Sequence, residues 1–157
     1  MKEKITVFIA DDNVDFATNL SGYLEKEEDL EVIGMAKDGE EAYNMIINTQ
    51  PDVVLLDVIM PHLDGLGVLE KIGKTAMSKK PICIMLSAVG QDKITQRAIS
   101  LGAEYYVVKP FDIELLIQRM KEIKFYQPIP NKSNFVAREI KAPYIEISSE
   151  NKKQKIT

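Results

Sequence analysis

The 157-residue sequence holds one cysteine, Cys83, and one histidine, His62. A lone cysteine excludes an internal disulfide framework and suits a reducing compartment, so a cytoplasmic location is expected. One thiol and one imidazole leave too few soft ligands for a structural zinc site. Cys83 lies in the apolar run PICIML and reads as a small buried hydrophobe. No apolar run approaches the ~20 residues that span a bilayer, so no membrane partner is expected. The N-terminus, MKEKITVFIADD, has a short apolar run followed at once by acids, which is not a secretory signal. Positive charge is also scarce where the pattern is globular. Residues 1–124 carry 14 Lys+Arg against 21 Asp+Glu, and residues 125–157 carry 6 against 3. An acidic body is a poor nucleic-acid binder, because phosphate contacts need clustered cations.

What is present is an alternation of two patterns. Short apolar or β-branched runs occur at Ile5–Ala10, Val32–Ala36, Val53–Leu56, Ile82–Leu86 and Tyr105–Val108. Between and after them, apolar residues recur at helical spacing over 15–26, 40–48, 65–72, 93–101 and 113–123. Stripes such as Phe16, Leu20, Tyr23 and Leu24, or Ile113, Leu116, Ile117 and Met120, predict one buried face per helix. Strand–helix alternation of this kind predicts an α/β domain, a doubly wound five-stranded parallel sheet. The runs VVLL and ICIML do not alternate polar with apolar, as expected for strands covered on both faces. Asn13, Asp64 and Asp112 are placed to cap the first, third and fifth helices. Pro51 and Pro81 interrupt the chain before the third and fourth strands, and Gly102 follows the fourth helix where a left-handed residue is favoured. From residue 125 the pattern fails. We expect 125–157 to be an interdomain linker or disordered tail, with a short strand about Tyr144–Ile147.

In a doubly wound sheet, ligands bind beyond the carboxyl ends of the strands. The first strand ends in Asp11-Asp12, the third in Asp57, the fourth in Ser87 and the fifth in Lys109-Pro110. Three carboxylates brought together repel one another unless they take up protons or a cation neutralises them. Their hard oxygens suit Mg²⁺, which keeps open positions for phosphate oxygens. Lys109 supplies a point charge for a phosphoryl group and Ser87 a hydroxyl. The set fits an aspartate nucleophile that forms an acyl phosphate.

Asp11-Asp12, Asp57 with Met60-Pro61 and Asp64-Gly65, Ser87-Ala88, and Lys109-Pro110-Phe111 resemble the receiver domain of two-component response regulators over about residues 4–124. The resemblance implies a flavodoxin-like fold with strand order 2-1-3-4-5 and a receiver domain spanning 1–124. It implies Asp57 as phosphoacceptor, and Mg²⁺ (with Mn²⁺ or Ca²⁺ able to substitute) held by Asp12, Asp57 and the Ile59 backbone carbonyl, with Asp11 acting largely through a bound water. Ser87, Ala88 and Lys109 would bind the phosphoryl group. Ser87 and Tyr106 would form the switch, and Lys109-Pro110 a cis peptide. The implied partners are a phosphohistidine phosphotransfer protein or histidine kinase, and a second copy docking through helix 4, strand 5 and helix 5 on phosphorylation.

MPHLDGLGVLEKI and SAVGQDKITQRAISLGAEYYVVKPFD resemble more closely the receivers of the sporulation initiation regulators of endospore-forming Firmicutes. There a DNA-binding effector follows. This sequence stops at Thr157 where the effector would begin, so DNA contact is expected only through a domain absent from this chain. The protein is expected to be a regulatory phosphoacceptor and not an enzyme. Three alternatives stand beside this reading. A stand-alone receiver would pass its signal to a protein partner. An aspartate-nucleophile phosphatase usually has Asp-x-Asp after the first strand. A flavodoxin-like FMN protein needs a Ser-, Thr- or Gly-rich loop where this chain has ADDNVD. His62 is expected to pack in its loop or meet a partner. Thr95, Gln96 and Arg97 read as a partner surface or a solvated face. Ile59 and Val89, apolar and flanking the acceptor, imply slow hydrolysis of the acyl phosphate.

Overall fold

The computed structural model describes residues 3–122. Five strands, β1 (Ile5–Ala10), β2 (Leu30–Ala36), β3 (Val53–Leu56), β4 (Ile82–Ser87) and β5 (Tyr105–Val108), alternate with five helices. These are α1 (Val14–Glu25), α2 (Gly39–Thr49), α3 (Gly65–Lys74), α4 (Asp92–Ser100) and α5 (Ile113–Glu122). The strands form one sheet in the order β2-β1-β3-β4-β5, and every pair is parallel. Both fold class and strand order are as expected.

The strands that read as unbroken apolar runs are sorted by the pleat. Val7, Ile9, Val53, Leu55, Ile84, Leu86 and Val107 face α1 and α5, packing on Phe16, Leu20, Leu24, Leu116 and Met120. Phe8, Ala10, Val54, Leu56, Cys83, Met85 and Tyr106 face α2, α3 and α4. Each large aliphatic side chain so buried contributes about 1.5–3 kcal/mol. Cys83 is 3% exposed, in keeping with its reading as a core residue.

Caps fall where the sequence places them. Asn13 accepts the Phe16 N–H at 3.0 Å, Asp64 that of Gly67 at 2.8 Å, and Asp112 that of Glu114 at 3.0 Å. Asp38, not foreseen as a cap, accepts the Glu41 N–H at 2.8 Å. Gly102 takes the left-handed φ of 116° expected after α4.

Three details depart from the sequence reading. β2 begins at Leu30, not Val32, and Leu30 pairs with Ile5; the exposed Glu31 between Leu30 and Val32 breaks the apolar run without breaking the strand. Tyr23 is 44% exposed despite its place in the α1 stripe, its ring lying under the Lys26 ammonium. Thr95 belongs to no surface: it is 2% exposed, and its hydroxyl has no hydrogen-bond partner among the described residues. Gln96 and Arg97 are exposed. The tail 125–157 and its suggested strand lie outside the described residues.

Candidate functional site

β1 is flanked by β2 on one side and β3 on the other, so the chain diverges at the β1–β3 boundary and leaves a crevice at their carboxyl ends. The sheet's hydrogen-bond ladder extends one residue past β1, β3 and β5 into this crevice. Asp11 N–H donates to Ala36 at 3.0 Å, Asp57 N–H to Ala10 at 2.9 Å, and Lys109 N–H to Ser87 at 2.9 Å. The backbones of both buried acids and of the lysine are thereby fixed by the sheet itself.

The chain must then leave Asp57 steeply. Gly65 N–H donates to the Val58 carbonyl at 2.7 Å, and a Cβ at Gly65 would lie 2.1 Å from the Asp57 carbonyl oxygen. Only glycine permits that approach. The same loop is held from α2: Gly39 N–H donates to Pro61 at 3.3 Å, and a Cβ at Gly39 would lie 1.8 Å from the Leu63 carbonyl oxygen. His62, with φ 70°, turns its imidazole to within 3.5 Å of Asp38 and stays largely exposed. Among the described residues its one ion-pair contact is to that neighbouring loop acid, outside the Asp11–Asp12–Asp57 cluster.

Asp11, Asp12 and Asp57 each bring a carboxylate oxygen within 4.8 Å of the others. Asp11 and Asp57 are buried, and Asp12 is exposed. Lys109 Nζ donates to Asp11 at 2.7 Å and lies 3.9 Å from Asp57. Burial, above all, raises the Asp57 pKa from the ordinary value of 3.8. The Asp11 charge adds to the rise, while Lys109 and the hydrogen-bonding Ser87 side chain oppose it. A buried acid, short of full compensation beside a second acid, is a site that gains from a divalent cation. Hard oxygens in this number fit Mg²⁺.

Ser87 is fully buried, and its Oγ accepts the Val89 N–H at 3.2 Å. Tyr106, also fully buried, donates its hydroxyl hydrogen to the Val89 carbonyl. Both polar groups of one loop residue are thus tied to the two residues expected to form the switch. Tyr105 packs on the opposite face of the sheet, as alternation requires. Ala88 is exposed at the mouth of the site. Ile59, two residues past Asp57, is 58% exposed. Lys109-Pro110 is a cis peptide.

The sequence reading missed Phe16. Its ring centroid lies 4.0 Å from Lys109 Nζ. On the helical stripe it looked like an ordinary core residue, and nothing in the spacing linked it to a lysine 93 positions away.

Residues 7–121 match the response regulator receiver domain family. The chain belongs to that family. Among solved structures, this receiver is similar to CheY from Borrelia burgdorferi in its complex with CheX, BeF3 and Mg²⁺. Identity is 31%, with 80% of this chain and 92% of that one covered and a TM-score of 0.70. It is similar to the response regulator domain of Thermotoga maritima CheB, at 28% identity, 80% and 100% coverage and a TM-score of 0.73. The receiver domain of NarL from Mycobacterium tuberculosis gives 26% identity, 80% and 99% coverage and a TM-score of 0.73. Receivers are phosphorylation-switched domains that interact with kinases or phosphotransfer proteins and bind Mg²⁺ at an acidic pocket; Asp11, Asp12 and Asp57 form an acidic cluster in this one. No helix among the described residues is long and apolar enough to cross a membrane.

Proposed function

We propose that this receiver accepts a phosphoryl group on Asp57 from a phosphohistidine donor. The observation that carries the reading is the convergence of Asp11, Asp12, Asp57 and Lys109 at one crevice. An Asp57 Oδ attacks phosphorus, the bond from phosphorus to the donor imidazole nitrogen breaks, and the imidazole leaves with that electron pair. Mg²⁺, when bound, offsets charge on the carboxylates and on the transferring phosphoryl oxygens. Asp12, Asp57 and the Ile59 carbonyl are its proposed ligands, with Asp11 acting through water. Lys109 neutralises a phosphoryl oxygen, and Ser87 and the Ala88 backbone bind the others. The Borrelia relative's complex with BeF3 and Mg²⁺ supports a phosphoryl-and-metal site on this fold.

The output follows from the Val89 clasp. Ser87 turning toward the phosphoryl group releases the Val89 N–H, while the Tyr106 hydroxyl holds the Val89 carbonyl. The α4–β5–α5 face then shifts between two states that phosphate and metal bias. That face pairs two copies and conveys the signal to a transcriptional effector. Residues 1–124 act as receiver and 125–157 as linker. The protein assists only its own phosphorylation and dephosphorylation in the cytoplasm. The MPHLDGLGVLEKI and SAVGQDKITQRAISLGAEYYVVKPFD stretches support a place in a sporulation phosphorelay. Incubation with acetyl phosphate and Mg²⁺, read by intact-mass spectrometry and size exclusion, tests both halves: one added phosphoryl group per chain, and a shift to dimer. A labelled chain that stays monomeric would remove the dimer switch and leave the acceptor reading.

A further inference from the structure

We propose that Phe16 is a positioning residue for Lys109, holding the ammonium in the crevice through the face of its ring. Lys109 Nζ stands 4.0 Å from the Phe16 centroid, well inside the ~6 Å at which a cation is drawn to an aromatic face. The Lys109 side chain is 13% exposed and Phe16 1%, so water screens the contact poorly and the attraction is correspondingly strong.

The ring is itself fixed. Phe16 meets Phe111 edge-to-face, with centroids 6.3 Å apart and planes at 76°, and Phe111 is fully buried. Phe111 follows Lys109 by two residues. α1 and the segment after β5 therefore grip the lysine together, one through its ammonium and the other through its backbone.

The ring differs in kind from the lysine's other partners. Asp11 at 2.7 Å and Asp57 at 3.9 Å change charge or partner when a cation or phosphoryl group arrives. A phenyl face does not. It keeps the ammonium near Asp57 while Lys109 exchanges Asp11 for a phosphoryl oxygen. The kinetic half of this inference rests on Asp57 being the acceptor; the contact itself does not.

The test uses the full chain with Phe16 replaced by phenylalanines bearing increasing numbers of ring fluorines, which drain the negative face at nearly constant shape, and with Phe16→Leu. The first readout needs neither metal nor phosphodonor. The Lys109 ε-methylene resonance, assigned by its loss in Lys109→Arg, is expected upfield from the ring current and moves back in Phe16→Leu. The second is the rate of labelling by acetyl phosphate with Mg²⁺. It is expected to fall stepwise with fluorination, by about tenfold at full substitution. An unshifted Lys109 resonance, or a flat rate across the series at unchanged melting midpoint, overturns the proposal. Absence of labelling even with Phe16 intact would count against the Asp57 reading, and the resonance would still decide for or against the Phe16–Lys109 contact.

Discussion

Lys109 donates to Asp11 at 2.7 Å while standing 3.9 Å from Asp57. In this arrangement the lysine is parked on the acid that is not the proposed acceptor. It lies close enough to Asp57 to reach a group added there, and it competes with any cation for the Asp11 carboxylate.

Removing that lysine therefore has two opposite effects. Lys109→Ala should slow labelling by acetyl phosphate on the order of a hundredfold, the usual loss when one positioned donor to a transferring group is deleted. The same variant should bind Mg²⁺ more tightly, because Asp11 loses a competing cation. A Mg²⁺ titration followed by NMR, beside the labelling rate, checks both. Weaker metal binding would show that Lys109 orders the carboxylates and does not compete for them.

The pH dependence of stability has a definite sign. Burial raises the Asp57 pKa above 3.8 in the folded protein, so folding favours the protonated acid. That contribution is fully present below the unfolded pKa and is lost as pH rises through the raised folded value. At neutral pH, above the unfolded pKa, the metal-free protein therefore holds Asp57 at a cost in stability. Asp57→Asn should then melt higher than the parent at pH 7 without Mg²⁺, and the gap should shrink as pH falls toward 4. Added Mg²⁺ should raise the parent's midpoint more than the variant's, by mass action on the native state. Equal midpoints at pH 7 would mean that Lys109 and Ser87 compensate the charge fully.

Gly65→Ala tests the turn. A methyl 2.1 Å from the Asp57 carbonyl oxygen cannot be accommodated without moving the backbone of the acceptor. The expected cost is about 3 kcal/mol, the upper end for overpacking. Urea unfolding measures it, and Gly22→Ala, which meets nothing within 4 Å, is the control expected to be neutral or stabilising.

Most of the frame was legible because the pleat and the helical period leave direct marks. VVLL and ICIML mark doubly covered strands, and Asn13, Asp64 and Asp112 mark helix starts. The acids and the lysine of the site were legible for the same reason, since each follows a strand end and parallel strands share one carboxyl edge. The Asp38 cap was a local signal passed over, but most of what escaped turns on contacts between distant segments. The Phe16–Lys109 and Gly39–Leu63 approaches depend on how helices seat on the sheet. The burial of Thr95 depends on the rotation of α4. The partner chosen by Lys109 between two acids is a matter of ångströms that residue spacing does not encode.

Tyr106→Phe separates the clasp from the core. The ring stays buried, but the hydroxyl's bond to the Val89 carbonyl is lost. The expected loss is about 1 kcal/mol, the usual net worth of one hydrogen bond, Val89 itself being only half-buried. Backbone amide exchange around Val89 should quicken with little change elsewhere. Unchanged exchange in that loop would show that the tyrosine hydroxyl does not restrain it.

The central claim is that Asp57 receives the phosphoryl group. The most direct measurement is intact-mass spectrometry after incubation with acetyl phosphate and Mg²⁺, for the parent, for Asp57→Asn and for Asp12→Asn. The account predicts one phosphoryl adduct on the parent, none on Asp57→Asn, and slow labelling of Asp12→Asn that more Mg²⁺ partly restores. Full labelling of Asp57→Asn at the parent's rate would contradict it.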